Sequence, residues 1–509
     1  MYKNKNYLLA GITAVVFTLL FYRQSIGLNL ILFEIILLFF IARYTPVSIA
    51  GVHGWVLAAG IAVTAVFTLI HASVFVIVMN VIALFMFTGW LLLPGGRSMA
   101  SFACLAFVNI IQAPVNTFSQ FLTGNQRHSR TLHRIRQVAW LILPLFLIMF
   151  FIWLYSSSNP YFSTIIDRLF KYPGKWLNIL LENINPQLTF TLVFGLFTGI
   201  LFFFRHKNKA ISDWDENSTD DLLRKHRKSG GKNRRMFALK NEYRAGVFLL
   251  VILNLLIFLQ NVLDIWFVWF HFEWNGQYLK QFVHEGTWLL IFSILISVVI
   301  ILLLYQGNLN FLPRNRFLRL LSYTWLVQNM VLAASVAVRN GWYIYYYALA
   351  YKRIGVGIFL VLTLVGLVSV LLKVKHRKTM FYLLRINTLS MFILLVAASC
   401  INWDPVIARY NFAHYERSFL HLEWLCSLSD KSLPLLDKSP AELAKIKQVQ
   451  DKAFPSDHRY MSPETYHEII RERKRDFIFN WENRSILSFN LADYLAFRRL
   501  CQQDFKGRR

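Results

Sequence analysis

The chain has 509 residues, of which 56% are hydrophobic and only 16% are charged, and its mean hydropathy is +0.44. A soluble globular protein carries about 25% charged residues, so this composition excludes an ordinary soluble protein. The sequence repeats apolar runs of about 17 to 25 residues, each long enough to cross a hydrocarbon core of about 30 Å as a helix. The predicted fold class is all-α, a polytopic transmembrane helix bundle.

The net charge of +27 at pH 7 is distributed in a way that argues against nucleic acid as a partner. The excess of lysine and arginine lies in short loops between apolar runs. More than half of the acidic residues follow Asn402, where the charges nearly balance. Basic loops fix the orientation of membrane helices and contact anionic lipid headgroups. The charge therefore predicts the lipid bilayer, and no nucleic acid, as the partner.

Residues 1–204 predict an N-terminal transmembrane half of about six spans. These spans fall at about 7–22, 26–42, two within 55–93 that separate near His71, 138–156 and 188–204. The segment 100–122 is apolar at first and then polar. Because Arg127 to Arg136 favour the cytoplasmic side, an even number of crossings must precede them if the N-terminus is cytoplasmic. The segment 100–122 is therefore predicted to be interfacial or re-entrant.

Residues 205–245 form a predicted basic cytoplasmic loop, and residues 246–402 a C-terminal transmembrane core. Its five spans fall at about 246–270, 286–305, 320–338, 354–372 and 381–401. Their loops alternate in charge, except that Arg339, Lys352 and Arg353 fall on the outer side. The sequence predicts about eleven spans in the bacterial inner (cytoplasmic) membrane, with a cytoplasmic N-terminus and an extracytoplasmic C-terminus.

Residues 403–509 predict a small helical extracytoplasmic tail. Ser439 and Glu442 are placed for a capping box, with proline at the first helical position between them. Ser462 precedes a second helix in the same way, and Asn490 precedes a third. Helices of this length need tertiary packing in water. The tail is thus expected to pack on itself or on the bundle, and to offer a surface to envelope proteins.

Several polar residues fall inside the apolar runs, where an unpaired polar group costs a few kcal/mol. Asn254, Asn261 and Asp264 share one helical face. The cluster supports two interpretations: an outward-open cavity lined also by Tyr343 and Tyr345 to Tyr347, or hydrogen bonds across packed helices with Asp264 paired to Arg339. The candidate polar cluster is Asn254, Asn261, Asp264, Glu285, Gln328, Asn329 and Arg339.

Sequence signatures of catalysis are missing. The chain has no glycine-rich phosphate loop, no nucleophile elbow and no dinucleotide fingerprint. Its four cysteines lack metal-ligand spacing. Two alternatives remain open for Cys426 and Cys501: a disulfide bridge in an oxidising compartment, or two unbridged thiols. We therefore expect no enzyme activity, no catalytic residue, no cofactor and no metal.

Three parts of the sequence resemble a known family: residues 314–356, His284-Glu285-Gly286, and the run from Asn402 to Asn411. They are similar to the bacterial multi-pass membrane family named domain of unknown function 4173, over roughly residues 243–436. Members of that family have Gly-Leu-Thr where this chain has Ala348-Leu349-Ala350. The resemblance implies a topology and no mechanism.

Two functional classes remain. The first is a non-enzymatic envelope protein that acts through partners, using its tail outside and the basic loop inside. The second is a transporter or channel with a polar path near Asp264 and Arg339. A transporter predicts discontinuous helices and inverted repeats. Proline and glycine are scarce in the middles of the last five spans, and this scarcity favours the first class. The sequence gives no information on the oligomeric state.

Overall fold

A computed structural model describes residues 2–45, 51–123, 185–205, 208–223, 232–271, 276–305, 308–313, 315–454 and 461–507, with isolated positions between 148 and 168. In these ranges the secondary structure is helical, apart from one antiparallel bridge between Asp221 and Lys378. The predicted span at 138–156 and the arginines before it lie outside the continuous described ranges.

Six helices form the described part of the N-terminal half. They are α1 (Tyr2–Phe21), α2 (Leu28–Tyr44), α3 (Gly51–His71), α4 (Val74–Leu92), α5 (Met99–Thr123) and α6 (Pro186–Phe203). The predicted separation near His71 is confirmed. Ala72 takes a positive φ of 38°, and the Ser73 side chain caps α4 by accepting from the Val76 amide. A capping side chain accepts a hydrogen bond from one of the backbone N–H groups that have no partner within the first turn of a helix.

The second half begins with a short helix and continues with long ones. They are α7 (Lys209–Asn217), α8 (Lys232–Asp264), α9 (Gly276–Leu304), α10 (Arg316–Tyr347), α11 (Tyr351–His376) and α12 (Met380–Ser399). Helix α8 continues without a break into a π-helical segment, Ile265–Phe270. Each long helix covers one of the five predicted spans of the C-terminal core.

Nine helices of the described chain, α3 to α6 and α8 to α12, are long and apolar enough to cross a membrane. Helix α1 contributes a shorter apolar stretch, Lys5–Phe21. The multi-pass prediction is thereby confirmed in its general form, whereas the count of eleven is not. Met99–Phe118 of α5 qualifies by length and hydropathy although it was predicted to be interfacial. Helix α2 has only 17 residues.

The helix ends gather at two opposite faces of the bundle. At one face, here called the loop end, the Arg97 amide donates to Asp215 of α7 at 2.6 Å. Asp220 there pairs with Arg385 at the start of α12, at 2.7 Å. Lys378 forms an ion pair with Asp221 at 2.6 Å. The basic loop and the start of α12 are thus held together by ion pairs.

Two apolar cores fill the bundle. The N-terminal core is built around Leu57, Phe87 and Trp90, and the C-terminal core around Leu250, Leu326 and Leu367. Helix α12 belongs to both: its start contributes Leu383 to the C-terminal core, and its later part contributes Phe392 and Val396 to the N-terminal core. The last predicted span therefore joins the two halves.

Helix α5 stays close to the loop end along much of its length. Asn109 Nδ2 donates to the Leu201 carbonyl near the end of α6 at 3.2 Å. Further along, Tyr7 of α1 donates its hydroxyl to the Thr117 carbonyl at 3.3 Å. The start of α1 and the end of α6 lie together, because Asn6 Nδ2 donates to the Phe203 carbonyl. A helix tilted toward the membrane plane makes such contacts, although α5 is also apolar enough to span.

After α12 the chain forms a helical cap, defined as the described residues from 403 to 507. Its helices are α13 (Trp403–Ala413), α14 (Pro440–Ala453), α15 (Pro463–Glu482) and α16 (Leu491–Gly507), with short helical turns between α13 and α14. The predicted capping box is present, with Glu442 N donating to Ser439 Oγ and Ser439 N to Glu442 Oε2. A separate apolar core holds these helices together, built around Leu420, Leu436, Tyr466 and Leu500.

Candidate functional site

Helices α8 and α10 lie parallel to each other and share a polar seam. Asn254 Nδ2 donates to the Leu321 carbonyl at 3.1 Å. Two helical turns later, Asn261 Nδ2 donates to the Gln328 carbonyl at 3.0 Å. Gln328 Nε2 also donates to Asn254 Oδ1 at 2.8 Å. The amide side chains of one helix thus bond to the backbone of the other, which fixes their register.

The seam ends at a buried ion pair between Asp264 and Arg339. Arg339 Nη2 lies 2.6 Å from Asp264 Oδ1, and the two side chains are 5% and 4% exposed. Ser335 Oγ donates to Asp264 Oδ2 at 2.8 Å, and Gln260 Nε2 donates to Oδ1 at 3.0 Å. Both carboxylate oxygens are therefore occupied by donors, as a buried charge requires.

The remaining members of the predicted cluster lie apart from this ion pair. Asn329 is fully buried and donates to the Trp325 carbonyl of its own helix at 2.8 Å. Glu285 lies in α9, but its side chain is outside the described part of the structure. Tyr343 and Tyr347 contact each other at the end of α10, with ring centroids 4.9 Å apart. The structure thus joins Asn254, Asn261, Asp264, Gln328 and Arg339 into one seam.

This geometry favours the structural interpretation of the cluster. The Asp264 carboxylate faces the neighbouring helix, and its three donors are protein side chains. Gln260 was missed in the sequence, although its position four residues before Asp264 is a helical contact distance. The π-helical segment directly after Asp264 was missed as well. A π-segment inserts an extra residue per turn, which has no signature in hydrophobic spacing.

The turn after α10 holds a strained residue. Ala348 has φ 63° and ψ 178°, a backbone region occupied almost only by glycine. Its carbonyl accepts from the Arg353 guanidinium, and the next residue, Leu349, exchanges two hydrogen bonds with the Asn411 side chain at 2.8 and 3.0 Å. These contacts hold the strained conformation. The family-like glycine noted in the sequence would fit it without strain.

We expect the substitution Ala348→Gly to stabilise the protein by about 1 kcal/mol. Glycine removes the strain of about 1 to 3 kcal/mol but raises the entropy of the unfolded chain by part of that amount. The measurement is the thermal unfolding midpoint of the purified protein in detergent. Ala350→Gly is the matched control, because Ala350 is extended, with φ −146°. Because Ala350 is also the N-cap of α11, where glycine is preferred over alanine, that change should shift the midpoint little, and equal shifts for both variants would contradict the strain argument.

The cap is fastened to loops of both halves of the bundle. On the N-terminal half, Leu28 N donates to the Phe489 carbonyl at 3.0 Å, and Lys431 Nζ donates to the Ala72 carbonyl at 3.0 Å. On the C-terminal half, Phe419 N donates to the Tyr346 carbonyl at 2.8 Å. The cap therefore covers the face opposite the loop end, here called the cap end.

A polar cavity of about 390 Å³ lies inside the cap, near its contact with the bundle. Lys431, Arg473 and Arg484 line it together with Asp430 and Asp493. Burial lowers the pKa of Lys431, because the charged ammonium is removed from water. The charges pair within the cavity, with Arg473 on Asp430 and Arg484 on Asp493. The cavity wall is therefore a network of paired charges.

None of the four cysteines is disulfide-bonded, and all four lie in the described part of the chain. Cys426 and Cys501 are therefore two thiols here. Burial raises the pKa of the Cys426 thiol to about 11, so its reactive thiolate is scarce near neutral pH. In the described residues, no group of three or more histidine, cysteine or carboxylate side chains is arranged to hold a metal ion.

The apolar bundle, the basic loop and the helical cap define a polytopic α-helical membrane protein. Residues 58–439 match the family described as Domain of unknown function (DUF4153). The match covers well over half of the chain, and the protein belongs to this family. The prediction that the chain belongs to a family of unknown function is therefore confirmed, whereas membership of the family numbered 4173 is not. The match also begins well before residue 243, where the sequence resemblance started. Comparisons with curated proteins and with solved structures find no significant match.

Proposed function

We propose that the protein is a non-enzymatic envelope protein of the bacterial inner membrane that acts through a partner bound by its cap. One observation carries this proposal: the cap has its own apolar core and is fastened to loops of both halves. A body held in this way presents a fixed surface beside the membrane. Phe479 and Ile486 of the cap are 66% and 77% exposed, and we take them as candidate contacts for the partner.

The distribution of charge supports a cytoplasmic loop end and an extracytoplasmic cap. Arg97, Arg385 and Lys378 lie at the loop end, as the ion pairs with the basic loop show. Basic residues near span ends favour the cytoplasmic side of a membrane. The N-terminal end of α1 lies at the same face. We therefore place the N-terminus inside, the cap outside, and α5 at the inner interface, with eleven spans in total.

A transporter or channel is the second candidate, and the π-helical segment Ile265–Phe270 favours it. Such segments occur frequently at functional sites, and this one directly follows the buried Asp264. A transport path here requires that the Asp264–Arg339 pair opens. The occupied carboxylate weighs against this path in the observed conformation.

A cysteine experiment tests the first proposal. In a background with the four native cysteines replaced by serine, Glu472→Cys places a thiol on the exposed surface of α15. We expect a membrane-impermeant maleimide to label it in intact cells with a permeabilised outer membrane. Loaded instead with a photo-crosslinking maleimide, the same thiol should form a discrete adduct with a second envelope protein.

Glu216→Cys is the matched control, because Glu216 is an exposed glutamate of α7 at the loop end. It should react with the impermeant reagent only after lysis. Labelling of both variants, or of Glu216→Cys alone, in intact cells would contradict the proposed orientation. Labelling of Glu472→Cys without any crosslinked protein, under conditions where the cap is folded, would contradict action through a partner.

A further inference from the structure

A cleft of about 430 Å³ lies between residues 287–291 of α9, the end of α10 and the start of α11, at the cap end of these spans. Its walls include Trp288, Ile291, Val356 and Phe359, all of them apolar. The volume is within the range of about 300 to 1,000 Å³ that is typical of ligand sites. The cleft shares no lining residue with the polar seam or with the polar cavity of the cap.

Two cations stand at the mouth of this apolar cleft. Lys352 is exposed and forms no ion pair with any side chain that the structure describes. The Arg353 guanidinium contacts the Tyr343 ring, 4.2 Å from its centroid, and backbone carbonyls of the preceding turn. In the described residues it therefore has neutral partners only. In the orientation proposed above, on which this point rests, both cations also lie on the extracytoplasmic side, against the usual preference of basic residues for the cytoplasmic side.

A buried polar group inside the cleft supports the same conclusion. Thr287 lines the cleft and is only 7% exposed, yet its Oγ1 has no hydrogen-bond partner in the described part of the chain. A buried hydroxyl without a partner costs about 1 to 3 kcal/mol. A ligand oxygen placed near the mouth of the cleft would satisfy it. The cleft thus combines two cations, a buried hydroxyl without a described partner and apolar walls.

We propose that this cleft binds an anionic phospholipid of the surrounding membrane. The phosphate lies at Lys352 and Arg353, an ester oxygen accepts from Thr287, and an acyl chain packs against Trp288 and Phe359. The position at the end of the spans is where lipid headgroups lie, and interfacial tryptophan is common at that level. The apolar walls favour a lipid over free phosphate, and the cations favour an anionic over a zwitterionic headgroup.

Gly355 offers a way to block the cleft without disturbing the bundle. It lines the cleft, and a Cβ built on it meets no heavy atom of the described residues within 4 Å. The substitution Gly355→Leu therefore places a large side chain at the wall of the cleft. Gly357→Leu is the matched control, since Gly357 is equally open but does not line the cleft. Lys352→Gln and Lys375→Gln form a second pair, at opposite ends of α11.

The experiment is native mass spectrometry of the full-length protein in detergent, titrated with phosphatidylglycerol or phosphatidylcholine. We expect phosphatidylglycerol to bind at least tenfold more tightly to the wild-type protein. Gly355→Leu should weaken this binding at least tenfold and Lys352→Gln about fivefold. Gly357→Leu and Lys375→Gln should retain it.

Equal binding of the two lipids, or full binding by Gly355→Leu, would overturn the proposal. Displacement of phosphatidylglycerol by millimolar inorganic phosphate would also overturn it, because it would identify a site for free phosphate. Thermal midpoints of all variants are measured alongside. If Gly355→Leu proves unfolded, the comparison of Lys352→Gln with Lys375→Gln decides the outcome alone.

Discussion

The substitution Asp264→Asn is expected to destabilise the protein by about 3 to 5 kcal/mol, enough to remove most of it from the membrane. The change removes the carboxylate that Arg339 contacts at 2.6 Å while both side chains remain almost fully buried. An uncompensated buried charge costs far more than a broken surface ion pair. The measurement is membrane abundance, together with the thermal midpoint of the purified protein.

A second substitution in the same pair distinguishes a structural from a functional role. Arg339→Gln alone should be as harmful as Asp264→Asn, because it leaves the carboxylate without its cation. The double variant with both charges removed should recover much of the abundance, because no unpaired charge remains. Charge-neutral variants that stay abundant singly would refute the structural role. Abundant single variants that lose a cellular phenotype would instead favour the transport path.

The second large effect is expected at the contact between α1 and α6. Gly195 and Gly199 of α6 face Ala14 and Ala10 of α1, so small residues four apart line both helices. A Cβ on Gly199 would lie 2.8 Å from the Ala10 Cα, so the backbones of the two helices lie very close together. Interfaces of this kind stabilise helix pairs in membranes through packing alone.

Gly199→Leu should therefore separate α1 from α6 and cost about 3 kcal/mol, the upper end of the usual overpacking range, since a larger side chain meets backbone atoms that cannot move aside. Protease resistance and abundance in the membrane report the loss. Gly11→Leu is the control, because a Cβ on Gly11 of α1 meets no described heavy atom within 4 Å. Similar behaviour of Gly11→Leu and Gly199→Leu would contradict the close-packing argument.

Much of the seam could be predicted because it depends on spacing within single helices. Asn254, Asn261 and Asp264 recur at intervals that place them on one face, and a buried carboxylate in a membrane helix needs a cation. Arg339 was therefore a natural partner. The capping box at Ser439 and Glu442 could be predicted for the same reason, because a segment of four residues defines it.

Features that depend on distant residues could not be predicted. Ser25 N donates to Ser488 Oγ at 3.0 Å across 463 positions of sequence. Hydropathy of α12 identifies a span but does not reveal that Phe392 packs in the N-terminal core. The glycines of α6 were also missed, because glycines within a uniformly apolar run do not change the hydrophobic pattern of the sequence. Such contacts result from tertiary packing, and a single sequence contains no local spacing pattern that identifies them.

The cap contacts also constrain how the protein is assembled during synthesis. The segment that closes over α1 and α2 includes Phe489, whose carbonyl would lie 2.5 Å from a Cβ on Gly27. A ribosome releases this segment only after every helix of the bundle has been made. The first two helices must therefore wait in the membrane with an uncovered end until translation is complete. Premature termination before residue 488 leaves this end without its contacts from Ser488 and Phe489.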